Sequence, residues 1–251
     1  MARAFALPEY LILDIETAPD LTRWTRPEPV AGEEPRFPPT WAHRIVTIGY
    51  LRLDHGYRFQ ELGVLDPAAA AGGDDDDRER ALLQELSLLV GERRPMLVTY
   101  NGRSFDLPVI ALRALCHGVG MGWYYDDKDT RYRYSEHGHL DLCDWLADHG
   151  AVRAGKLDAI TRLVGLPGKS GMDGSQVEGL YAAGKLAEIQ RYCLADVAQT
   201  TLLFLRFRLL QGKLDPESCR ERLTELLAAL GRDGRVPEVL DGLDRQHLLG
   251  V

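Results

Sequence analysis

The stretch YLILDIETAP, which runs from Tyr10 to Pro19, predicts a strand at the centre of a sheet. Its first four residues are apolar or aromatic, as in a buried strand. Asp14 and Glu16 follow at alternate positions, with Ile15 between them. Because strand side chains alternate between two faces, both carboxylates point the same way. Two bare carboxylates on one face repel each other and resist desolvation. Either one of them is protonated, a cation lies between them, or both are solvated at the strand end.

Further along the chain, the apolar spacing predicts an α/β fold with a mixed sheet covered by helices. Three more strands are expected, over 44–53, 57–65 and 96–101. The short linker between the first two of these favours an antiparallel hairpin. Helices are expected near 82–90, 107–115, 140–149, 155–165, 185–210 and from 216 onward. No internal repeat or convincing linker divides the chain. This indicates one domain over 1–215, with the C-terminal helix and tail, 216–251, packed on it.

Length, charge and cysteine usage narrow the class of protein. The 251 residues carry a formal net charge of −8, which argues against a generic basic nucleic-acid coat. Bound divalent ions can still reverse the sign of a site locally. The four cysteines lie far apart without a C-x-x-C pair, as expected for free thiols in a reducing compartment. The N-terminus lacks the features of a signal peptide, and no apolar run approaches the roughly 20 residues of a membrane span. We therefore expect a soluble cytoplasmic protein without a membrane partner.

A second acidic candidate, Asp106, lies in the stretch YNGRSFDLPVI. Asn101 and Gly102 indicate a turn after the strand that precedes them. Ser104 is suited to cap the next helix, and Pro108 is tolerated only in a first helical turn. Asp106 is therefore expected at the start of a helix, just beyond a strand end. Its carboxylate either interacts with the helix dipole alone or takes part in a functional site.

A third candidate, Asp196, lies in RYCLADVAQTTLLFLRF, and Tyr192 shares its helix face four residues earlier. This helix is expected to be buried, and an acid there is unusual unless it is paired, metal-bound or at an exposed end. With Asp14, Glu16 and Asp106 it completes a set of four acids. Such a set can bind two divalent cations about 4 Å apart, the arrangement used for in-line displacement at phosphorus. Carboxylate oxygens suit Mg²⁺ or Mn²⁺, and no spaced set of His and Cys residues indicates zinc.

Three stretches together carry a family resemblance. LDIET, YNGRSFDLP and YCLADVAQT resemble, in order and spacing, the three motifs of the DEDD 3′–5′ exonucleases of the DnaQ-like, RNase H-fold superfamily. The Tyr-x-x-x-Asp pattern is that of the tyrosine subclass. The sequence is most similar to the predicted 3′–5′ exonucleases related to the proofreading domain of family B DNA polymerases. FPPTWAHRIVTIGY, HLDLCDWL and GKSGMDGSQV add to the likeness, which spans roughly residues 8–210.

The resemblance implies an RNase H-like fold: a five-stranded mixed sheet, with the second strand antiparallel, flanked by helices. It also implies hydrolysis of the terminal phosphodiester at a free 3′ end, with release of nucleoside monophosphates. Carried over to this sequence, Asp14, Glu16 and Asp196 would hold the ion that activates water. Asp14 and Asp106 would hold the ion that stabilises the leaving 3′ oxygen, and Tyr192 would orient the attacking water. Since a tyrosine has an unperturbed pKa of about 10, we expect Tyr192 to position that water rather than remove its proton.

Five further residues are candidates for contacts with substrate: Thr17, Asn101, Phe105, Lys169 and Ser170. Thr17 either contacts the terminal nucleotide through its backbone or simply ends the strand. Phe105, which flanks the second motif together with Asn101, either stacks on a terminal base or belongs to the core. Lys169 and Ser170 lie in a glycine-rich stretch that either meets backbone phosphate or is a surface loop.

The substrate has three open interpretations. The leading hypothesis is a metal-dependent exonuclease acting on single-stranded DNA. An RNA 3′ exonuclease would use the same site and differ in recognition of a 2′-OH. The third is a non-catalytic nucleic-acid-binding protein. The segment WYYDDKDTRYRY, 123–134, mixes aromatic and charged residues, which suits either a single strand or an ordinary surface. His139 and Asp141 are expected to cap the helix near 140–149, and no protein partner is indicated.

Overall fold

The computed structural model describes residues 9–28, 36–66, 73–168 and 174–250, and its centre is one five-stranded sheet. The strands are β1 (Tyr10–Pro19), β2 (His43–Leu53), β3 (Phe59–Val64), β4 (Met96–Thr99) and β5 (His139–Asp141). Their order across the sheet is β3-β2-β1-β4-β5. β2 is antiparallel to β1 and β3, whereas β4 is parallel to β1 and β5. The predicted five-stranded mixed sheet, its antiparallel second strand and the hairpin from β2 to β3 are confirmed.

Helices cover both faces of the sheet, as the α/β prediction requires. In the described ranges they are α1 (Asp75–Arg93), α2 (Asp106–His117), α3 (Gly122–Tyr125), α4 (Lys128–Arg131), α5 (Leu142–Leu146), α6 (Leu157–Leu163), α7 (Val177–Ala182), α8 (Leu186–Leu210), α9 (Pro216–Asp233), α10 (Pro237–Leu240) and α11 (Arg245–Leu249). None of these helices is both long and apolar enough to cross a membrane.

The central strand β1 is buried on both faces because its side chains alternate between two hydrophobic cores. Leu11 and Leu13 pack in the core that includes residues of α1 and α2. Ile12 packs in the other core, to which α8 and α9 contribute. The row of Ile12 continues along the strand as Asp14 and Glu16. The two acids therefore lie on the face of the sheet that α8 covers.

Helix α8 is 25 residues long and is buried along most of its length. Val197, Leu202 and Phe204 have no exposed surface, and they belong to the same core as Ile12. A helix that is apolar all round is typical of a position inside a domain. Because packing fixes α8 over the sheet, the polar side chains near its N-terminal end are held in place against β1.

The fifth strand corrects the helix predicted near 140–149. β5 covers only His139–Asp141, and α5 follows immediately over Leu142–Leu146. Asp141 caps α5 as expected, since its side chain accepts hydrogen bonds from the backbone N–H groups of Cys143 and Asp144. His139 does not cap the helix. It lies fully buried in β5, with Nε2 2.8 Å from the Thr99 hydroxyl.

Two other local expectations differ from the structure. Ser104 is not the cap of α2, which begins at Asp106 with Phe105 at the capping position and no side-chain hydrogen bond there. The reason is a tight turn, in which the N–H groups of Ser104 and Phe105 both donate to the Asn101 carbonyl. At the other end of the chain, the weakly patterned last twenty residues form two short helices, α10 and α11.

Candidate active site

The two acids of β1 meet the N-terminal half of α8. Glu16 is 8% exposed and Asp14 is half-buried. One oxygen of each carboxylate and the Sγ of Cys193 all lie within 4.8 Å of one another. The Cys193 thiol donates to Oδ2 of Asp14 over 3.6 Å and is fully buried. Cys193 was not among the predicted site residues, although it stands next to Tyr192 in the third motif.

Asp106 reaches the same place from the opposite side of β1. Its Oδ1 accepts a hydrogen bond of 3.2 Å from the backbone N–H of Ile15, the residue between the two acids. The side chain is 4% exposed. Burial raises the pKa of Asp106 to about 7, and the negative charges of Asp141 and Asp196 act in the same direction. The first and second motifs thus meet at one point in space.

Tyr192 and Asp196 complete the cluster from one face of α8. Both side chains are almost fully buried, at 8% and 5% exposure. The Tyr192 phenol is hydrogen-bonded to Asp196, and its pKa is raised above the usual range by burial and by the charges of Asp196, Glu16 and Asp14. The structure therefore brings together all five residues that the three motifs single out. Their catalytic and metal-binding roles remain proposals.

The donor set fits a hard divalent cation. Four carboxylates supply only oxygen, which Mg²⁺ and Mn²⁺ prefer. The one soft neighbour, Cys193, is a poor ligand here, because burial and the nearby charges of Asp14 and Glu16 raise the pKa of its thiol well above the usual value. A protonated thiol donates to a carboxylate and does not coordinate a metal. The cluster therefore matches the prediction of magnesium or manganese better than zinc.

Asp141 fixes the loop between β4 and α2. Its Oδ1 accepts from the Asn101 N–H over 2.8 Å, and its Oδ2 accepts from the Arg103 N–H over 2.8 Å. Asn101 has a left-handed backbone with φ of 66°, which an asparagine tolerates better than most residues. The sequence assigned Asp141 only to capping α5. In the structure it also sets the conformation of the loop that leads to Asp106.

A pocket of about 320 Å³ opens beside Glu16, and Thr17 and Phe105 are among its lining residues. His43 holds this wall together. Its Nε2 is 3.0 Å from the carbonyl of Pro38, which can only accept, so Nδ1 accepts from the Thr17 hydroxyl at 2.9 Å. The half-buried Phe105 ring meets the His43 ring edge-on at 5.0 Å. Phe105 is thus both a packed aromatic and a pocket residue.

The remaining predicted substrate residues are less informative. Asn101 is exposed on the loop after β4. Lys169 and Ser170 lie outside the described residues. The chain resumes at Gly174, which lines the pocket together with Ser175. The basic side chains at the pocket are Arg26 and Arg36, of which Arg26 pairs with Glu178 at 2.7 Å.

A second acidic group, behind the site, is a structural ion-pair network. Asp76, Glu79 and His117 also offer ligand atoms within 4.8 Å of one another. However, the guanidinium of Arg113 donates to Glu79 over 2.7 Å and to Asp20 over 2.8 Å, and all three of these side chains are buried. The positive charge that Glu79 needs is thus supplied by the protein itself. This network ties α1 and α2 to the end of β1.

Comparison with known proteins places this geometry in a family. The model of a family described as predicted 3′–5′ exonuclease related to the exonuclease domain of PolB matches residues 35–243. The chain belongs to this family. The match includes Asp106, Tyr192 and Asp196, whereas the two acids of β1 precede it. The predicted family and the predicted 3′–5′ exonuclease class are both confirmed.

Individual relatives are polymerases and an exonuclease. Over 118 residues the chain is 28% identical to the catalytic polypeptide of DNA polymerase epsilon from Schizosaccharomyces pombe, covering 45% of this chain and 5% of the polymerase. The fold is similar to the family B DNA polymerase from Pyrobaculum calidifontis, with a TM-score of 0.53 and 18% identity over 88% of this chain and 29% of that one. E. coli Exonuclease I in complex with a dA16 oligonucleotide has a TM-score of 0.41 and 15% identity, over 77% and 43% of the two chains. This chain thus spans less than half of each relative.

Proposed function

We propose that this protein removes nucleotides one at a time from the 3′ end of single-stranded DNA, releasing nucleoside monophosphates. The observation that carries the proposal is the convergence of four acids from three separate elements. Asp14 and Glu16 come from β1, Asp106 from the start of α2 and Asp196 from α8. The hydrogen bond from the Ile15 N–H to Asp106 ties the first two sets together.

Two divalent cations, Mg²⁺ or Mn²⁺, are the proposed cofactors. Asp14, Glu16 and Asp196 would hold one ion, and Asp14 and Asp106 would hold the other. When bound, such ions acidify water and neutralise charge developing at the phosphorus. The donor chemistry supports this proposal, because four clustered carboxylates need positive charge to ionise together. The pKa of about 7 for Asp106 is a direct consequence of that crowding in the metal-free protein.

Tyr192 is the proposed positioning group for the attacking water. Because burial and three neighbouring carboxylates raise its pKa, the phenol keeps its proton at neutral pH and cannot act as a general base. A neutral phenol can hold a water through hydrogen bonding while its own contact to Asp196 orients the ring. Tyr192 therefore contributes orientation, and proton removal falls to other groups.

The terminal nucleotide is proposed to occupy the pocket beside Glu16. The pocket volume of about 320 Å³ lies at the lower end of the range typical for small-molecule sites. Thr17 and Phe105 would contact the terminal sugar and base from its walls. Asn101 would contact the strand at the loop after β4. Lys169 and Ser170 are proposed to contact the phosphate backbone, from the stretch that precedes Gly174 on the pocket wall.

The exonuclease domain is proposed to cover 1–215, with 216–251 packed on it. Leu223, Leu226 and Leu230 of α9 support this arrangement, since they lie in the same hydrophobic core as α8. A cytoplasmic location is proposed as well. The cysteines of the described ranges are free thiols, which fits a reducing compartment.

The decisive assay follows a 5′-labelled single-stranded DNA with purified protein in Mg²⁺ or Mn²⁺, and then in EDTA. We expect a ladder shortened from the 3′ end, mononucleotide products, and no products in EDTA. Asp14→Asn should abolish the ladder, because that side chain is the ligand shared by both ions. Asp241→Asn, which removes an exposed acid outside the cluster, is the matched control and should retain full activity. A wild-type protein that cuts RNA alone would replace DNA as substrate, and no cleavage of either would refute the proposal.

A further inference from the structure

Three exposed tyrosines form a surface next to the second motif. Tyr125, Tyr132 and Tyr134, here called the tyrosine surface, are 54%, 59% and 54% exposed. They lie on and just after the short helices α3 and α4. Large aromatic side chains grouped at the surface mark interaction sites more often than isolated ones do. The proposed catalytic steps make no use of these rings.

The rings of the tyrosine surface are held in place by aromatic and cationic neighbours. Tyr132 and Tyr134 meet at a centroid distance of 5.5 Å, and Tyr134 packs against His149 at 4.5 Å. The Arg131 guanidinium lies 5.3 Å from the centre of the Tyr125 ring. Arg133 lies 5.9 Å from the Tyr134 ring and also pairs with Asp144. Ordering before binding lowers the entropy lost when a ligand stacks on the rings.

The segment that carries these rings packs tightly on the sheet. A Cβ added at Gly138, directly before β5, would lie 2.2 Å from the backbone nitrogen of Thr130 in α4. Only a glycine allows that approach. Thr130 is 4% exposed, and the Ser135 hydroxyl donates to Asp129 over 2.8 Å. The tyrosine surface is thus anchored to the edge of the sheet at β5.

The tyrosine surface is also connected directly to the candidate active site. The Arg103 side chain donates to the Arg131 carbonyl over 2.9 Å, and its backbone N–H donates to Asp141. Arg103 is three residues before Asp106. The pocket for the terminal nucleotide lies on the other side of the acids, toward β2, because His43 and Phe105 form part of its wall. The acids thus lie between a closed pocket and an exposed aromatic surface.

We propose that the tyrosine surface binds the bases of a single-stranded nucleic acid upstream of the nucleotide being removed. The inference rests on the proposed function, which puts the 3′ end in the pocket. Stacking on aromatic rings is tolerant of sequence and suits single strands, whose bases are exposed. It also explains how a protein with a net charge of −8 holds a polyanion, since stacking adds affinity that its overall charge does not supply.

The test measures binding, so it does not depend on cleavage. Fluorescein-labelled dT12 and dT3 are titrated by anisotropy in EDTA with wild-type protein, Tyr132→Ala, Tyr134→Ala and the double variant. We expect wild type to bind dT12 about tenfold or more tightly than dT3, and each alanine variant to lose about tenfold on dT12. Tyr132→Phe keeps the ring and should retain wild-type affinity. Leu88→Ala, which truncates a 62% exposed side chain on α1, is the matched control and should not change it.

Three results would overturn the inference. They are equal wild-type affinity for dT12 and dT3, unchanged affinity in the double variant, and an equal loss on blunt duplex, whose bases are stacked inside. Far-UV circular dichroism of each variant verifies folding. A parallel hydrolysis assay of dT12 with wild type and Leu88→Ala separates the two claims. If neither cleaves, the proposed exonuclease reaction fails, while the binding comparison still decides the role of the tyrosine surface.

Discussion

The backbone N–H of Ile15 donates to Oδ1 of Asp106 over 3.2 Å, which fixes the start of α2 against the central strand between Asp14 and Glu16. Residues 91 positions apart are thereby brought into one carboxylate cluster. The contact also lowers the pKa of Asp106, opposing the larger effect of burial. One hydrogen bond thus joins the first and second motifs.

Asp106→Asn tests whether the charge of this side chain matters apart from its shape. Asparagine retains an oxygen that accepts from the Ile15 N–H, so the fold should persist. Removing a buried carboxylate from a like-charged cluster should leave the metal-free protein as stable as wild type or more stable. Loss of a proposed metal ligand should reduce kcat/KM more than about 100-fold. Initial rates and thermal unfolding in EDTA measure both effects, and an active Asp106→Asn protein would contradict the proposed role.

The pH dependence of stability follows from the same carboxyl. Burial raises its pKa to about 7 in the metal-free protein, whereas an unfolded aspartate titrates near about 4. Between these values the folded state binds more protons than the unfolded chain, so stability falls as pH rises. We expect the Tm in EDTA to fall from about pH 5 to about pH 8, and Mg²⁺ to restore it at the higher pH. The fall should be smaller in Asp106→Asn, and an identical fall would show that another group titrates.

Tyr192→Phe separates water positioning from metal binding. The phenol is neutral across the working pH range because burial and the nearby acids raise its pKa. Removing the hydroxyl should lower kcat about 10- to 1,000-fold while the Mn²⁺ affinity, measured by isothermal titration calorimetry, stays within about twofold. Equal losses of turnover and metal affinity would refute this division of labour.

Asp141 is expected to control the loop that carries Asn101 and Arg103. Asp141→Ala leaves the N–H groups of both residues, and those of the α5 cap, without their acceptor. The free energy of unfolding should fall by about 1–3 kcal/mol, and kcat/KM should fall as the loop relaxes. Asp141→Asn keeps one accepting oxygen and should give an intermediate result. Urea unfolding and initial rates provide the comparison, and an Asp141→Ala protein indistinguishable from wild type would exclude the role.

Local patterns in the sequence were sufficient to predict much of the fold and the cluster. The period of two in β1 predicted that Asp14 and Glu16 share a face, and helical spacing predicted the same for Tyr192 and Asp196. Their convergence came from the family resemblance and was found in the structure. β5 was missed because three residues are too few to show a period.

Other features depend on contacts that no local pattern shows. The second role of Asp141 was missed because its loop partners lie 38 and 40 residues away. His43 and Arg113 act through partners on other elements, His43 with Thr17 and Arg113 with Glu79. The sequence offered no signal for either contact.

Anomalous scattering from a crystal grown with Mn²⁺ tests the central claim most directly. We expect two peaks bounded by Asp14, Glu16, Asp106 and Asp196, with Asp14 bound to both ions. Peaks confined to another location, or an ordered cluster of these four acids without manganese, would contradict the claim.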